Sequence, residues 1–143
     1  MRLVTDEPVR GFAARARLSG PRGSLRGVVT VEQIRAVALS LPRAYEAIVR
    51  DRVKFRVGQI VFVALSRDET TMGFGYPKDQ RDALVAGEPE KFFPPSKSDE
   101  RYQWVQARLE ALDEEEMREL VTDAWRMCVP KKVRTEYDLR QPG

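Results

Sequence analysis

Between Thr30 and Pro42 the apolar residues Ile34, Val37, Ala38 and Leu41 recur at helical spacing and share one face. Thr30 with Gln33 three positions on is a capping box, and Pro42 ends the element. The period then drops to two. "VKFRV" alternates, "GQ" supplies a two-residue turn with Gly58 first, and "IVFVALS" returns, which predicts a hairpin. "TTMGFGY" predicts a third strand after the polar turn "RDE", and "RYQWVQARL" a further alternating strand. Between them, "PKDQRDALVAGEPEKFF" suggests a short helix broken by Gly87 and Pro89. Asp113 and Glu116 then open a last helix, whose apolar face holds Met117, Leu120, Val121, Ala124, Trp125 and Cys128 until Pro130. Helix, antiparallel strands, helix is an α+β layout: an antiparallel sheet with the 31–41 and 114–128 helices on one face. Trp125, Val121, Ile34, Phe55 and Phe62 are expected to be buried together.

The hairpin carries the first candidate chemistry. Alternate strand residues share a face, so Arg50, Arg52, Lys54 and Arg56 form a cationic row. Pairing Val57 with Ile60 across the turn sets Phe55 opposite Phe62 on the core side. The same register places Val61, Val63 and Leu65 beside the cations, on a face that then needs a cover. A partner chain, the N-terminal segment, a ligand, or the stems of the Arg and Lys side chains would supply one. An ordinary solvated outer face is the plainer reading of the cations.

Composition narrows the function classes. A chain of 143 residues with 42% hydrophobic content suits one domain with its own core. No apolar run approaches the roughly 18 residues of a membrane span. The first 28 residues also lack the apolar stretch of a secretory signal. They are Arg-rich, as transit peptides are, but Asp6 and Glu7 speak against that reading. With the single cysteine Cys128, these features point to the cytoplasm. The absence of histidine removes Ser-His-Asp and Cys-His nucleophile pairs and His-ligated zinc. "GFGY" is too short for a phosphate loop. The expectation is a non-enzyme with no catalytic residue, no cofactor and no small-molecule substrate.

Net charge is +3, yet residues 1–28 hold six arginines against two acids, so the remainder is close to neutral. The chain divides into this basic leader and a domain over 29–143 with a short C-terminal tail. "RARLSGPRGSLRG" joins a flexible connector to a segment with Phe12 as apolar anchor. We read the leader as a packing or dimer-contact arm first and a nucleic-acid grip second. Phe12, Val61, Val63 and Leu65 are the interface candidates, and a homodimer is one expected assembly.

Three further stretches combine suggestive residues. "EKFFPPSKSDERYQW" interleaves Lys91, Lys97 and Arg101 with Phe92, Phe93, Tyr102 and Trp104, as a single-stranded nucleic-acid site would. A structured loop with its rings in the core is the plainer alternative, and Asp99 and Glu100 would repel phosphate. Lys131 and Lys132 in "PKKVR" could meet phosphate or complement a helix C-terminus. Glu115, Glu119 and Asp123 share a helix side and raise the thought of metal. Acids in a first turn are, however, expected from the helix dipole, and Glu114 can pair with Arg118, so no metal site is assigned. Cys128 is read as a small buried hydrophobe.

"LPRAYE", "FRVGQIVFVAL", "FFPP", "WVQARL" and "AWRMCVPKKV" occur in the order seen in the MmcQ/YjbR family. The chain resembles that family over about residues 29 to 134. The resemblance implies a compact α+β domain similar to secretion-chaperone-like and frataxin-like shapes. Members are often labelled DNA-binding, with a proposed double-wing mode, and no family catalytic residue carries over. Ile60 departs from the pattern, which often has a lysine there. The resulting expectation is nucleic-acid binding through the basic sheet face, from Arg50, Arg52, Lys54, Arg56, Lys91, Lys97, Arg101, Lys131 and Lys132. The alternative is a self-association or protein-interaction module using that face without nucleic acid, with metal handling by the acidic helix a distant third.

Overall fold

The computed structural model describes residues 29–141; the leader, and Phe12 with it, lies outside the described residues. The first helix, α1 (Val31–Ser40), starts where the capping box places it. Thr30 Oγ1 accepts from the Gln33 amide at 3.2 Å, and Gln33 Oε1 accepts from the Thr30 amide at 2.9 Å. Four strands follow, β1 (Ala44–Val49), β2 (Arg52–Val57), β3 (Ile60–Leu65) and β4 (Thr71–Gly75). Then come α2 (Lys78–Gly87), the short β5 (Phe92–Phe93), β6 (Trp104–Arg108), α3 (Glu114–Arg126) and α4 (Lys131–Arg140).

The sheet order is β1-β2-β3-β4-β6-β5, with every pair antiparallel. Arg50 (φ 52°) and Asp51 (φ 66°) both take left-handed backbone between β1 and β2, the geometry of a type I′ turn. Such a turn ordinarily draws Asn-Gly, so "RD" gives no sequence signal, and β1 escapes the sequence reading. Gly58 (φ 59°) opens the β2–β3 turn as expected, and Val57 pairs with Ile60. Two residues later the register changes. Arg56 pairs with Val61 but Phe55 pairs with Val63, so Phe62 is an extra, bulged residue.

That bulge corrects the expected face assignment. Phe55 is opposite Val63 rather than Phe62, and Val63 and Leu65 turn into the main core with Phe62. Of the three residues placed beside the cations, only Val61 is there; Ala64 takes the next position, opposite Lys54. On the core side, α1 and α3 pack together over the sheet, and Trp125, Val121, Ile34, Phe55 and Phe62 are all fully buried in one cluster. The Trp125 indole donates to the Pro42 carbonyl at 2.8 Å, closing the end of α1 against α3. The expected C-terminal tail is instead α4, begun by Pro130, which fixes a backbone angle suited to a helix start. It buries Val133 and sets Tyr137 against Trp125, ring centroids 4.9 Å apart.

Replacing Asp51 with glycine should remove the cost of a left-handed L-residue and stabilise the fold by about 1 kcal/mol. Urea unfolding of D51G should show a higher midpoint at unchanged slope. A lower midpoint would mean that the turn is held by the Asp51 side chain.

Candidate nucleic-acid interface

The face away from the helices is built on small residues. One cross-strand row runs Ala47, Lys54, Ala64, Gly73, Gln106, Phe93. Its neighbour runs Tyr45, Arg56, Val61. Trp104 lies in the trough this leaves: a Cβ on Gly73 would sit 2.7 Å from the Trp104 Nε1. Val61, Ala64 and Trp104 form a second buried cluster, with Tyr102 packed on it. The cover that the sequence called for is therefore the chain's own segment leading into β6. The outer face offers little apolar surface for self-association by this route.

That segment is pinned from α2, the short helix expected in this stretch, by hydrogen bonds that the sequence did not announce. Arg81 donates through Nη1 to the carbonyls of Tyr102 (3.1 Å) and Trp104 (3.0 Å), and through Nη2 to that of Glu100 (2.9 Å). Lys78 Nζ donates to the Arg101 carbonyl at 3.0 Å. No motif could have announced these bonds, because they join residues about twenty positions apart.

Beside the covered trough lie the cations of β2. Lys54 is only 4% exposed. Its pKa is lowered first by burial, then by the positive charges of Arg52, Arg56 and Arg50, with Asp99 of the covering segment acting the other way. Arg50 belongs to the turn, not the strand, and is exposed. Arg52 Nε donates to the Leu65 carbonyl at 3.1 Å, which leaves the far end of its guanidinium outside that bond. Arg56 Nε is buried without an acceptor. The arrangement concentrates positive charge around a group that burial already discourages from being charged, a state that an incoming anion would relieve.

The covering segment adds two of its expected cations and withholds one. Lys97, in a 3₁₀ turn over Lys97–Asp99, is exposed. Arg101 is exposed and stacks over Tyr102 at 4.9 Å, donating to its hydroxyl at 3.0 Å. Lys91 is engaged within the fold. Its Nζ lies 2.7 Å from Glu116, which is fully buried, and 3.0 Å from Glu88. Phe92 points into the core, whereas Phe93 shares the outer face and is stacked by Arg108 at 4.5 Å. Lys131 and Lys132 are exposed in the first turn of α4, on the helix layer and not with the other cations.

Elsewhere the chemistry is sparse. Among the described residues no group of three His, Cys, Asp or Glu is placed to hold a metal. On α3, Glu114 pairs with Arg118 at 3.5 Å and Asp123 with Arg126 at 3.8 Å. Cys128 donates to the Ala124 carbonyl, and burial pushes its thiol up to about 12. A cleft of about 440 Å³ is lined by Glu69, Thr70, Thr71, Arg108, Leu109 and Glu110. Its one cation, Arg108, is occupied by the carbonyls of Pro89 and Glu90. Among the described residues no helix is long and apolar enough to cross a membrane.

A family model described as YjbR matches residues 39–127. The crystal structure of Deinococcus radiodurans protein DR2400, with the family-model domain DUF419, is similar in fold, with a TM-score of 0.63. The two are 19% identical, and the match covers 76% of this chain and 88% of that one. No curated protein matches the chain.

The buried Glu116 and the half-buried Cys128 each have a measurable consequence. Lys91→Ala removes the 2.7 Å ion pair to the buried Glu116 and should cost about 3 kcal/mol of stability, read by denaturant unfolding. An unchanged midpoint would return Lys91 to the candidate phosphate contacts. Folding raises the Cys128 pKa to about 12, above its unfolded value of about 8.5. Its contribution to stability is therefore intact below about pH 8.5 and is lost as pH rises from there towards 12. Thiol labelling at pH 8 should accordingly be slow in the folded protein and fast in denaturant; equal rates would contradict the burial.

Proposed function

The chain belongs to the YjbR family, and on that premise we propose that it is a non-enzymatic nucleic-acid-binding protein whose outer sheet face receives the phosphate backbone. The observation that carries this reading is the crowding of Arg50, Arg52 and Arg56 about the buried Lys54. Like charges held together by a fold destabilise it unless they meet a counter-charge, and a run of phosphates supplies several at once. Arg56 has a buried donor in reserve, Arg50 is exposed in its turn, and Lys97 and Arg101 extend the cationic surface along the covering segment.

Such contacts position a backbone and carry no base sequence by themselves. Asp99 and Glu100 lie within the same segment and would keep phosphate away from its tip, so the strand path is steered along β2 and towards Arg101. The reading needs neither cofactor nor small-molecule substrate. A cytoplasmic location suits a single-cysteine protein with this role.

Fluorescence anisotropy with a labelled DNA duplex tests the proposal. Affinity should fall steeply between about 50 and 200 mM salt through counterion release. Arg50→Ala and Arg101→Ala should each reduce the salt slope by about 1 with the fold intact. Lys131→Ala with Lys132→Ala, on the helix layer, should leave it unchanged. Absence of binding at low salt, or a slope that responds only to the α4 lysines, would sink the proposal.

A further inference from the structure

The two sheet edges differ in a way that nucleic-acid binding does not explain. On one side, β5 has two residues and is followed by Pro94 and Pro95, a blunt edge that discourages further strands. On the other, β1 runs six residues in unbroken register with β2, without bulge, proline or lysine. Its charged residue, Glu46, is already held by Arg35 of α1, at 2.9 and 3.0 Å, so it does not guard the edge as a free inward charge would. Ile48 is 69% exposed and Tyr45 42% exposed on this strand. Among the described residues no strand pairs with the far side of β1.

We propose that β1 pairs with β1 of a second copy, forming a two-fold dimer with one continuous antiparallel sheet centred on Ala47. The register follows from the hairpin. In a type I′ turn the flanking pair, Val49 with Arg52, exchanges both hydrogen bonds, so Tyr45, Ala47 and Val49 point their backbone groups at β2. Glu46 and Ile48 therefore direct theirs outward. A two-fold axis perpendicular to the sheet keeps like faces together, which requires one residue to lie opposite its own copy.

Centring on Glu46 would set two carboxylates directly opposite, which is unfavourable. Centring on Ala47 matches Glu46 with the partner's Ile48, and Ile48 with the partner's Glu46, in hydrogen-bonded pairs. Tyr45 then meets the partner's Val49, an aromatic with a β-branched residue, on the outer face. The axis passes between two alanines in a non-hydrogen-bonded pair, where strands approach most closely and small side chains fit best. The contact is small for a protein interface, so the dimer is reversible. It is independent of the nucleic-acid reading.

The test uses the full chain. Sedimentation velocity should show a concentration-dependent dimer. Ile48→Glu, which places an acid opposite Glu46 twice, should weaken it about tenfold or more. Ile48→Lys, in the same exposed position, should retain it, since the lysine meets the partner's Glu46. Under mild oxidation, with the half-buried Cys128 replaced by alanine, Ala47→Cys should form a symmetric disulfide faster than Glu46→Cys. A strictly monomeric wild type, a dimer indifferent to Ile48→Glu, or faster cross-linking from Glu46→Cys would each overturn the proposal.

Discussion

One extra residue in β3 decides what both faces of the sheet can be. Because Phe62 bulges, Val63 and Leu65 turn inward with Phe55, and Ala64 rather than Val63 lies across from Lys54. Ala64 and Gly73 then give the outer face a floor without bulk, and Trp104 can lie down on it. Once Trp104 is seated, the segment before β6 has to run across the face, near enough for Asp99 to act on the buried Lys54. A regular strand would have left a ridge of valine and leucine on that face, and the covering segment would have had nowhere to rest. The core gains as much, since Phe62, Val63 and Leu65 all contribute to the layer under α3.

Several cations of this domain serve its own backbone. Arg52, Lys78, Arg81, Arg108 and Arg134 each donate to at least one main-chain carbonyl. These bonds satisfy acceptors in loops and segment ends that no ladder reaches, the demand that every buried or half-buried carbonyl makes. Arginine suits the task because its planar fork can hold several carbonyls at once, as Arg81 does. A basic composition is thus a poor guide to an anion site here. What distinguishes β2 is that its cations are set against one another.

Capped and periodic elements were legible in the sequence. Thr30 with Gln33, the apolar face of α3 and the Gly58 turn each write a local rule that the fold obeys. The bulge was not legible, because an alternating "IVFVAL" reads equally well with or without a slip, and packing against β4 chooses between them. β1 was hidden by a turn of Arg50 and Asp51 that lacks glycine or asparagine. α4 was hidden by Pro130, which reads as a stop from one side and is the residue that caps the next helix from the other. Of the candidate site, Arg50, Arg52, Lys54 and Arg56 do gather on or beside one face. Lys91 could not be told from a surface cation, since its partner Glu116 lies on a different element.

The chain has two tryptophans, and the fold gives them different neighbourhoods. Trp125 is buried between α1 and α4 with its indole nitrogen bonded to the Pro42 carbonyl, so its emission follows the integrity of the helix layer. Trp104 is buried on the opposite side of the sheet, under Tyr102 and beside the arginines. Substituting either with phenylalanine leaves the other as a single intrinsic fluorophore. The molecule thereby carries a separate optical signal for each side of its sheet, and loosening of the segment around Trp104 can be distinguished from loosening of the core without any added label.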